Sequence, residues 1–281
     1  MKIVITSVTQ GLVSRGAESS THIKAENLQK LGNEVYVFGN GVSFFRHTYT
    51  YINLGQKKEN YDFQPTNFFK KVLNRFYLTK SSFYLLLFHL KAHKQIKKIN
   101  PDAIITVNGV LSIIITKIFY PKAINVVSGH SGPGFNDFDN LKCSPDLYIC
   151  LSPRLKEYKK YKPKNTKLVY IPNGINKNYC NCENTQFVTK EVKWFFKQGK
   201  KVIFCPAALV PYKRVGNVVS AFKYLNTKDY FLLIAGDGPL KNELILKGNS
   251  LLGEKNYLIR TFKKEYMPYI YKHSYLTILP S

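Results

Sequence analysis

Short β-branched runs alternate with helical periodicity along most of the chain. Lys2 to Thr6 is such a run, of the kind expected for a strand covered on both faces. After a Gly-containing turn from Gly11 to Gly16, Ser20 and Thr21 are placed to cap a helix. It runs to Leu31, with Ile23, Leu28 and Leu31 apolar and Gly32 as its stop. Glu34 to Phe38 then reads as a second strand closed by Gly39-Asn40-Gly41, which completes one β-α-β unit. The basic, aromatic stretch from Asn67 to Asn100 predicts two helices, or one broken near Ser81-Ser82, ended by Pro101.

The alternation continues. Asp102 to Val107 is a predicted strand, Asn108-Gly109 a turn and Val110 to Phe119 a mostly apolar helix. Ala123 to Val127 is a strand that runs into Ser-Gly-His-Ser-Gly-Pro-Gly. Leu147 to Leu151 is another, followed by a helix with Ser152 as cap and Pro153 at its first position. Val169 to Ile171 is a short strand ended by Pro172-Asn173-Gly174. After Asn176 the pattern lapses into a polar stretch through Asn184, and a helix around Val188 to Lys197 restarts order. From Lys201 the cycle resumes: strand Val202 to Cys205, helix Val215 to Leu225, strand Tyr230 to Ala235, helix Leu240 to Lys247. Strand Leu258 to Arg260, helix Lys264 to His273 and a terminal strand Leu276 to Leu279 complete it.

Strands alternating with helices twice over predict an α/β protein with two parallel-sheet domains. The expected division is an N-terminal domain over 1–176, a linker and connecting helix over 177–198, and a C-terminal domain over 199–281. Length agrees, since 281 residues at ~150 per domain is about two.

Composition narrows the partners. Lys+Arg 42 against Asp+Glu 17 leaves a net charge of +25. That excess favours nucleic acid, an anionic membrane face or phosphate-bearing small molecules. The 20 Tyr and 19 Phe argue against disorder. The apolar run at the N-terminus ends at Ser7, too short for a secretory signal. The window from Ala103 to Tyr120 is interrupted by Asn108, Gly109 and Lys117, so no spanning helix is predicted. The 5 cysteines (Cys143, Cys150, Cys180, Cys182, Cys205) are an odd number, and reduced thiols in the cytoplasm are the expectation. His89 and His93 have i, i+4 spacing but no acidic partner, and Cys180-x-Cys182 has no second pair, so no metal is expected at either.

In open parallel sheets, ligands bind where strands end and helices begin. The informative loops are therefore Gly11 to Glu18, Ser128 to Asp137, Pro172 to Asn176, Pro206 to Arg214 and Gly236 to Pro239. Two such loop sets, one per domain, predict a ligand held between the domains. Neither GxxxxGK[ST] nor GxGxxG occurs, which leaves NTP hydrolysis and dinucleotide redox chemistry without support.

These loops carry a resemblance. RGAESSTHIKAENLQKLGNEVYVFG, SGHSGPG, VYIPNGIN, AALVPYKRVGNVVSAFKYL, LLIAGDGPL and YMPYIYKHSYLTILPS occur in one order over nearly the whole chain. Together they resemble the retaining, nucleotide-sugar-dependent glycosyltransferases of family 4. The resemblance implies a GT-B fold, two Rossmann-like parallel-sheet domains facing a cleft, with the second incomplete.

It also implies site residues. Gly16, in Arg15-Gly16-Ala17-Glu18, falls where the family has a glycine pair at a helix N-terminus facing the donor phosphate; the first glycine is replaced here. His130 falls where the family places a histidine near the transferred sugar. Lys213 matches the lysine that neutralises the donor diphosphate as it departs. The arginine that usually precedes it is absent from Ala207-Ala208-Leu209, and Arg214 is the candidate substitute. Gly236, Asp237, Gly238 and Thr261 are implied on the nucleotide side, and Asn173 and Gly174 at the cleft or hinge. The family's pair of glutamates lies beyond the final Leu-Pro-Ser and is not carried by this sequence.

The function implied is transfer of a sugar from a nucleoside-diphosphate donor to a glycan or lipid-linked acceptor, with retention and without a metal or cofactor. Interleaved lysines and aromatics over 67–98 further suggest an anionic membrane surface, and a cytoplasmic or peripheral location at the inner face of a membrane. The competing readings are a non-catalytic or partner-completed sugar-nucleotide or membrane-binding subunit, and a basic nucleic-acid-binding protein. No nucleic-acid motif occurs and the lysines are spread along the chain, so no specific nucleic acid is expected.

Overall fold

A computed structural model of the protein describes residues 1–13, 16–56, 79–107, 109–129, 132–174 and 188–280. Two compact units divide the chain, Met1–Gly174 and Ile175–Ser281. The first holds a seven-stranded sheet in the order β3-β2-β1-β4-β5-β6-β7. Its strands are β1 (Lys2–Thr6), β2 (Glu34–Gly39), β3 (Thr50–Asn53), β4 (Ala103–Thr106), β5 (Ile124–Ser128), β6 (Leu147–Cys150) and β7 (Lys167–Tyr170). Every pairing is parallel. Helices α1 (Gly16–Lys30), α2 (Lys80–Ile99), α3 (Val110–Phe119), α4 (Phe135–Lys142) and α5 (Leu155–Lys159) connect them.

Alternation along β1 explains the two covered faces. Ile3 and Ile5 pack with Ala25 of α1 and with Val35 and Val37. Val4 points to the opposite face, into Phe38, Tyr84, Phe88, Ala92 and Ile96, the last four from α2. A further cluster joins Ile113, Val127, Leu141, Tyr148 and Tyr158.

The second unit holds a four-stranded sheet in the order β10-β9-β8-β11. Its strands are β8 (Lys201–Pro206), β9 (Tyr230–Ala235), β10 (Tyr257–Arg260) and β11 (Leu276–Thr277), with α6 (Lys190–Phe195), α7 (Val215–Phe222), α8 (Lys241–Leu252) and α9 (Met267–His273). All of its pairings are parallel. Ile203 and Cys205 face α7 and α8 through Val218, Val219, Phe222 and Leu244. Val202 and Phe204 face Val192 of α6 and Ile270 of α9. Leu276 in β11 and Leu279 just after it are exposed.

Several local expectations change. Ser20 and Thr21 do not cap α1; they lie inside it and are buried. The helix starts earlier because Glu18 in its first turn is held by the Thr9 hydroxyl, which donates to Glu18 Oε1 at 2.5 Å. Thr21 bonds back to the Ala17 carbonyl at 2.9 Å, the usual recourse of a hydroxyl inside a helix. Ser152 and Pro153 do not open the next helix. Ser152 Oγ instead accepts from the Arg154 amide in a turn, and α5 begins at Leu155. Strand β3 and helix α4 went unpredicted: β3 is a short, partly exposed edge strand, and α4 is a mainly polar helix with one buried carboxylate, Asp137. The break near Ser81-Ser82 is a helix start, with the Thr79 side chain accepting from the Ser82 amide. Asn100, in the left-handed region at φ 50°, ends that helix before Pro101.

Candidate functional site

Each sheet has one strand from which the chain order departs in both directions. In the first unit it is β1, flanked by β2 and β4; in the second it is β8, flanked by β9 and β11. Loops diverge at the carboxyl end of such a strand and leave a crevice open to ligands.

In the first unit the loop after β1 is clamped onto the loop after β2. Gly11 has φ +83°, and a Cβ there would lie 2.4 Å from the Gly41 carbonyl oxygen. Tyr51 of β3 donates its hydroxyl towards both the Gln10 carbonyl, at 3.0 Å, and the Gly41 carbonyl, at 2.7 Å. Burial pushes the Tyr51 phenol up to about 12, so it remains a donor at neutral pH. Gly16, the first residue of α1, has open space where a side chain would begin. Its neighbour Arg15 lies outside the described residues.

At the end of β5, the Gly129 amide donates to the Ile149 carbonyl at 2.9 Å. A Cβ on Gly129 would approach Asp137 Oδ2 to 2.8 Å and the Tyr148 hydroxyl to 3.0 Å. Asp137 is buried and accepts from Tyr158 Oη at 2.9 Å. Burial, reinforced by this carboxylate, pushes the Tyr148 and Tyr158 phenols up. His130, the family-implied residue of this loop, lies outside the described residues.

Helix α1 overlooks the same edge with a polar stripe. Ser20 Oγ donates to Asn173 Oδ1 at 2.7 Å, which ties the segment after β7 to α1. One turn on, Lys24 Nζ donates to Ser128 Oγ at 2.5 Å. Burial lowers Lys24 to about 8. Gly174 ends the first unit with its Cα beside Ile23, from which a Cβ would be 3.9 Å away.

In the second unit, β8 leads into a single 3-10 turn, Pro211–Lys213. Lys213 is half-buried, with Nζ 5.7 Å from the Tyr212 ring centroid. Arg214 is exposed and left-handed (φ 51°, ψ 31°); it closes the turn and opens α7. The glycines of Gly236-Asp237-Gly238 let two loops touch. A Cβ on Gly236 would fall 1.9 Å from the Ala207 carbonyl oxygen, and one on Gly238 2.5 Å from that of Leu209. Amides lace the same loops together: Ala207 to the Ala235 carbonyl, Leu209 to Asp237 and Leu240 to Leu209. Asp237 is exposed, and its carboxylate is 3.6 Å from Lys241 Nζ. Thr261 is also exposed, after the edge strand β10, and the Gly236 amide donates to the preceding Arg260 carbonyl at 3.0 Å.

The second unit therefore gathers Lys213, Arg214, Gly236, Asp237, Gly238 and Thr261 along one carboxyl edge. Gly16, Asn173 and Gly174 belong to the first unit. Lys24 and Asp137 escaped the sequence reading. Nothing local marks Lys24 among so many lysines, whereas Asp137, in the first turn after a glycine-rich loop, carries at least a positional signal.

Residues 187–281 match the family model of Glycosyl transferases group 1. No curated protein matches the chain in sequence. Solved structures share its fold at low identity. HepE of Anabaena, in complex with UDP and glucose, is 14% identical with a TM-score of 0.64, over 99% of this chain and 73% of that one. A sucrose-phosphate synthase of Thermosynechococcus elongatus gives 15% and 0.70, over 100% and 75%. An α,α-trehalose-phosphate synthase (UDP-forming) of Burkholderia vietnamiensis gives 12% and 0.71, over 98% and 76%. The fold is α/β of the GT-B type, built from two Rossmann-like units with parallel sheets.

Proposed function

We propose that the protein is a glycosyltransferase that moves a sugar from a nucleoside-diphosphate donor to a glycan or lipid-linked acceptor, with retention. The observation that carries this reading is the position of Lys213. It follows the strand at which the sheet order reverses, inside the segment that matches the group 1 family. HepE, a structural neighbour, was solved with UDP and glucose, and a uridine diphosphate sugar is the first donor to try.

In this reading Lys213, with Arg214 beside it, meets the diphosphate. Charge grows on the phosphate oxygens as the glycosidic bond to the sugar breaks, and a fixed cation stabilises that transition state more than the bound substrate. The departing phosphate takes the acceptor proton while the acceptor attacks from the same face. Gly16 at the start of α1 leaves the first amides of the helix accessible to an anion, and His130 supplies a hydrogen bond to a sugar hydroxyl. No metal is invoked.

Among the described residues no helix is long and apolar enough to cross a membrane. A peripheral contact with an anionic membrane has its own support in α2. Phe83, Leu86 and Leu90 form an exposed apolar stripe, with exposed Ile114 and Ile118 on the adjoining α3. Exposed Lys80, Lys91, Lys94, Lys97 and Lys98 accompany the stripe. Of the predicted 67–98 segment, residues 67–78 lie outside the described residues.

Thermal-shift titration with UDP, GDP, ADP and their sugars tests the central reading. Stabilisation by one nucleotide, lost in Lys213→Ala, is the expected result. No stabilisation by any of them, together with tight, salt-sensitive binding of single-stranded DNA, would sink it.

A further inference from the structure

We infer that Lys24, Ser128, Ser20 and Asn173 form a binding site for a phosphomonoester on the first unit, taking the anionic group of the acceptor. The inference rests on the transferase reading for the word acceptor, but the site itself stands on local geometry.

A lysine on a helix directs its side chain back towards the helix N-terminus. Lys24 thereby reaches from the middle of α1 to the carboxyl edge of the sheet, where Nζ meets Ser128 Oγ at 2.5 Å. Ser20 lies one turn nearer that edge on the same face of α1, bonded to Asn173. The helix, the end of β5 and the segment after β7 thus converge on one polar spot.

Among the described residues the ammonium there has no counter-ion. No ion pair involves Lys24 among the described residues, and its hydrogen bond goes to a neutral hydroxyl. Such a group can offer three donors. The amide NH2 of Asn173 adds donors without a partner among the described residues, and the Ser128 hydroxyl, which accepts from Lys24, still has a proton of its own to donate. Burying a cation without an anion is unfavourable, and burial alone accounts for the lowering of Lys24. An incoming dianion reverses that penalty. A tetrahedral phosphate, with three free oxygens, suits donors converging from three elements better than a planar, two-oxygen carboxylate.

The test uses the full chain. Glucose 6-phosphate, glucose and vesicles containing phosphatidic acid are each added before brief acetylation at pH 8, and Lys24 modification is read by peptide mass mapping. Protection by glucose 6-phosphate but not glucose supports a soluble phosphomonoester. Protection by the vesicles alone supports a lipid-borne one. No protection by either, or equal protection by glucose, overturns the site. Lys24→Met should weaken glucose 6-phosphate binding roughly ten-fold, as expected for one charge-assisted hydrogen bond, with Lys24→Arg restoring part of it. Ser128→Ala provides a second, milder variant. Nucleotide-induced stabilisation should survive Lys24→Met and vanish in Lys213→Ala, so this inference and the transferase reading fail independently.

Discussion

Ser20 and Asn173 stand 153 positions apart in the chain, yet their side chains share a 2.7 Å hydrogen bond. The bond closes the first unit, fastening the segment that leaves its last strand to the helix that follows its first. A partly buried neutral bond of this kind contributes about 1 kcal/mol. Ser20→Ala and Asn173→Ala should therefore each lower the unfolding free energy by about that amount. The double variant should cost little more than either alone, because the second change finds no bond left to break. Full additivity in urea unfolding would mean that the two residues do not interact in solution.

Two glycines that look alike in the sequence should behave oppositely. Gly236→Ala places a methyl group 1.9 Å from the Ala207 carbonyl oxygen, so the laced loops after β8 and β9 must separate. The expected cost is about 1–3 kcal/mol, as for other overpacked sites. Gly16→Ala meets nothing within 4 Å and should alter stability by less than about 1 kcal/mol, in the stabilising direction where helix propensity dominates. Denaturant titration of both variants checks the pair. A loss of nucleotide response in Gly16→Ala at unchanged stability would then report on ligand approach alone.

The contrast shows what was legible in the sequence. The α/β class and elements such as Val110–Phe119 and Tyr230–Ala235 were readable because local composition determines them: apolar runs, turn residues and helix stops within a few positions. The start of α1 was not, because the Thr9–Glu18 bond competes with a hydroxyl cap and wins only in three dimensions. Lys24 was invisible for a stronger reason. Its special character arises from Ser128, more than a hundred residues away, and from burial under a sheet edge. Gly236 and Gly238 are implied on the nucleotide side by family resemblance alone; their contact with Ala207 and Leu209 of the neighbouring loop is a three-dimensional relation that no local pattern announces.

The apolar stripe on α2 predicts a measurable membrane contact. Phe83→Glu and Leu90→Glu replace exposed residues, so the melting temperature should stay close to that of the parent. Each change removes apolar surface and adds a negative charge facing anionic lipid, and should cost about 1 kcal/mol or more of binding. Co-sedimentation with vesicles rich in phosphatidylserine should therefore fall several-fold for either variant and almost vanish for both. Retention of full binding would remove α2 as the contact.

His89 should make the first unit sensitive to acid. It is 1% exposed in α2, packed edge-on against Phe88, with Nε2 2.9 Å from Ser112 Oγ of α3 and Nδ1 buried without a partner among the described residues. Burial lowers its pKa from 6.5 to about 4. The unfolded chain thus holds the proton more tightly than the folded one. Stability is complete above the unfolded value of 6.5, declines as the pH falls below it, and reaches its full loss once the pH passes below about 4. A shift of this size corresponds to about 3 kcal/mol, at ~1.4 kcal/mol per pH unit. His89→Gln keeps a polar atom near Ser112 but cannot titrate. Its urea-unfolding free energy should therefore fall less than the parent's between pH 7 and pH 4, by up to that amount. Parallel pH profiles for the two proteins would show that His89 does not carry the acid sensitivity of the α2–α3 contact.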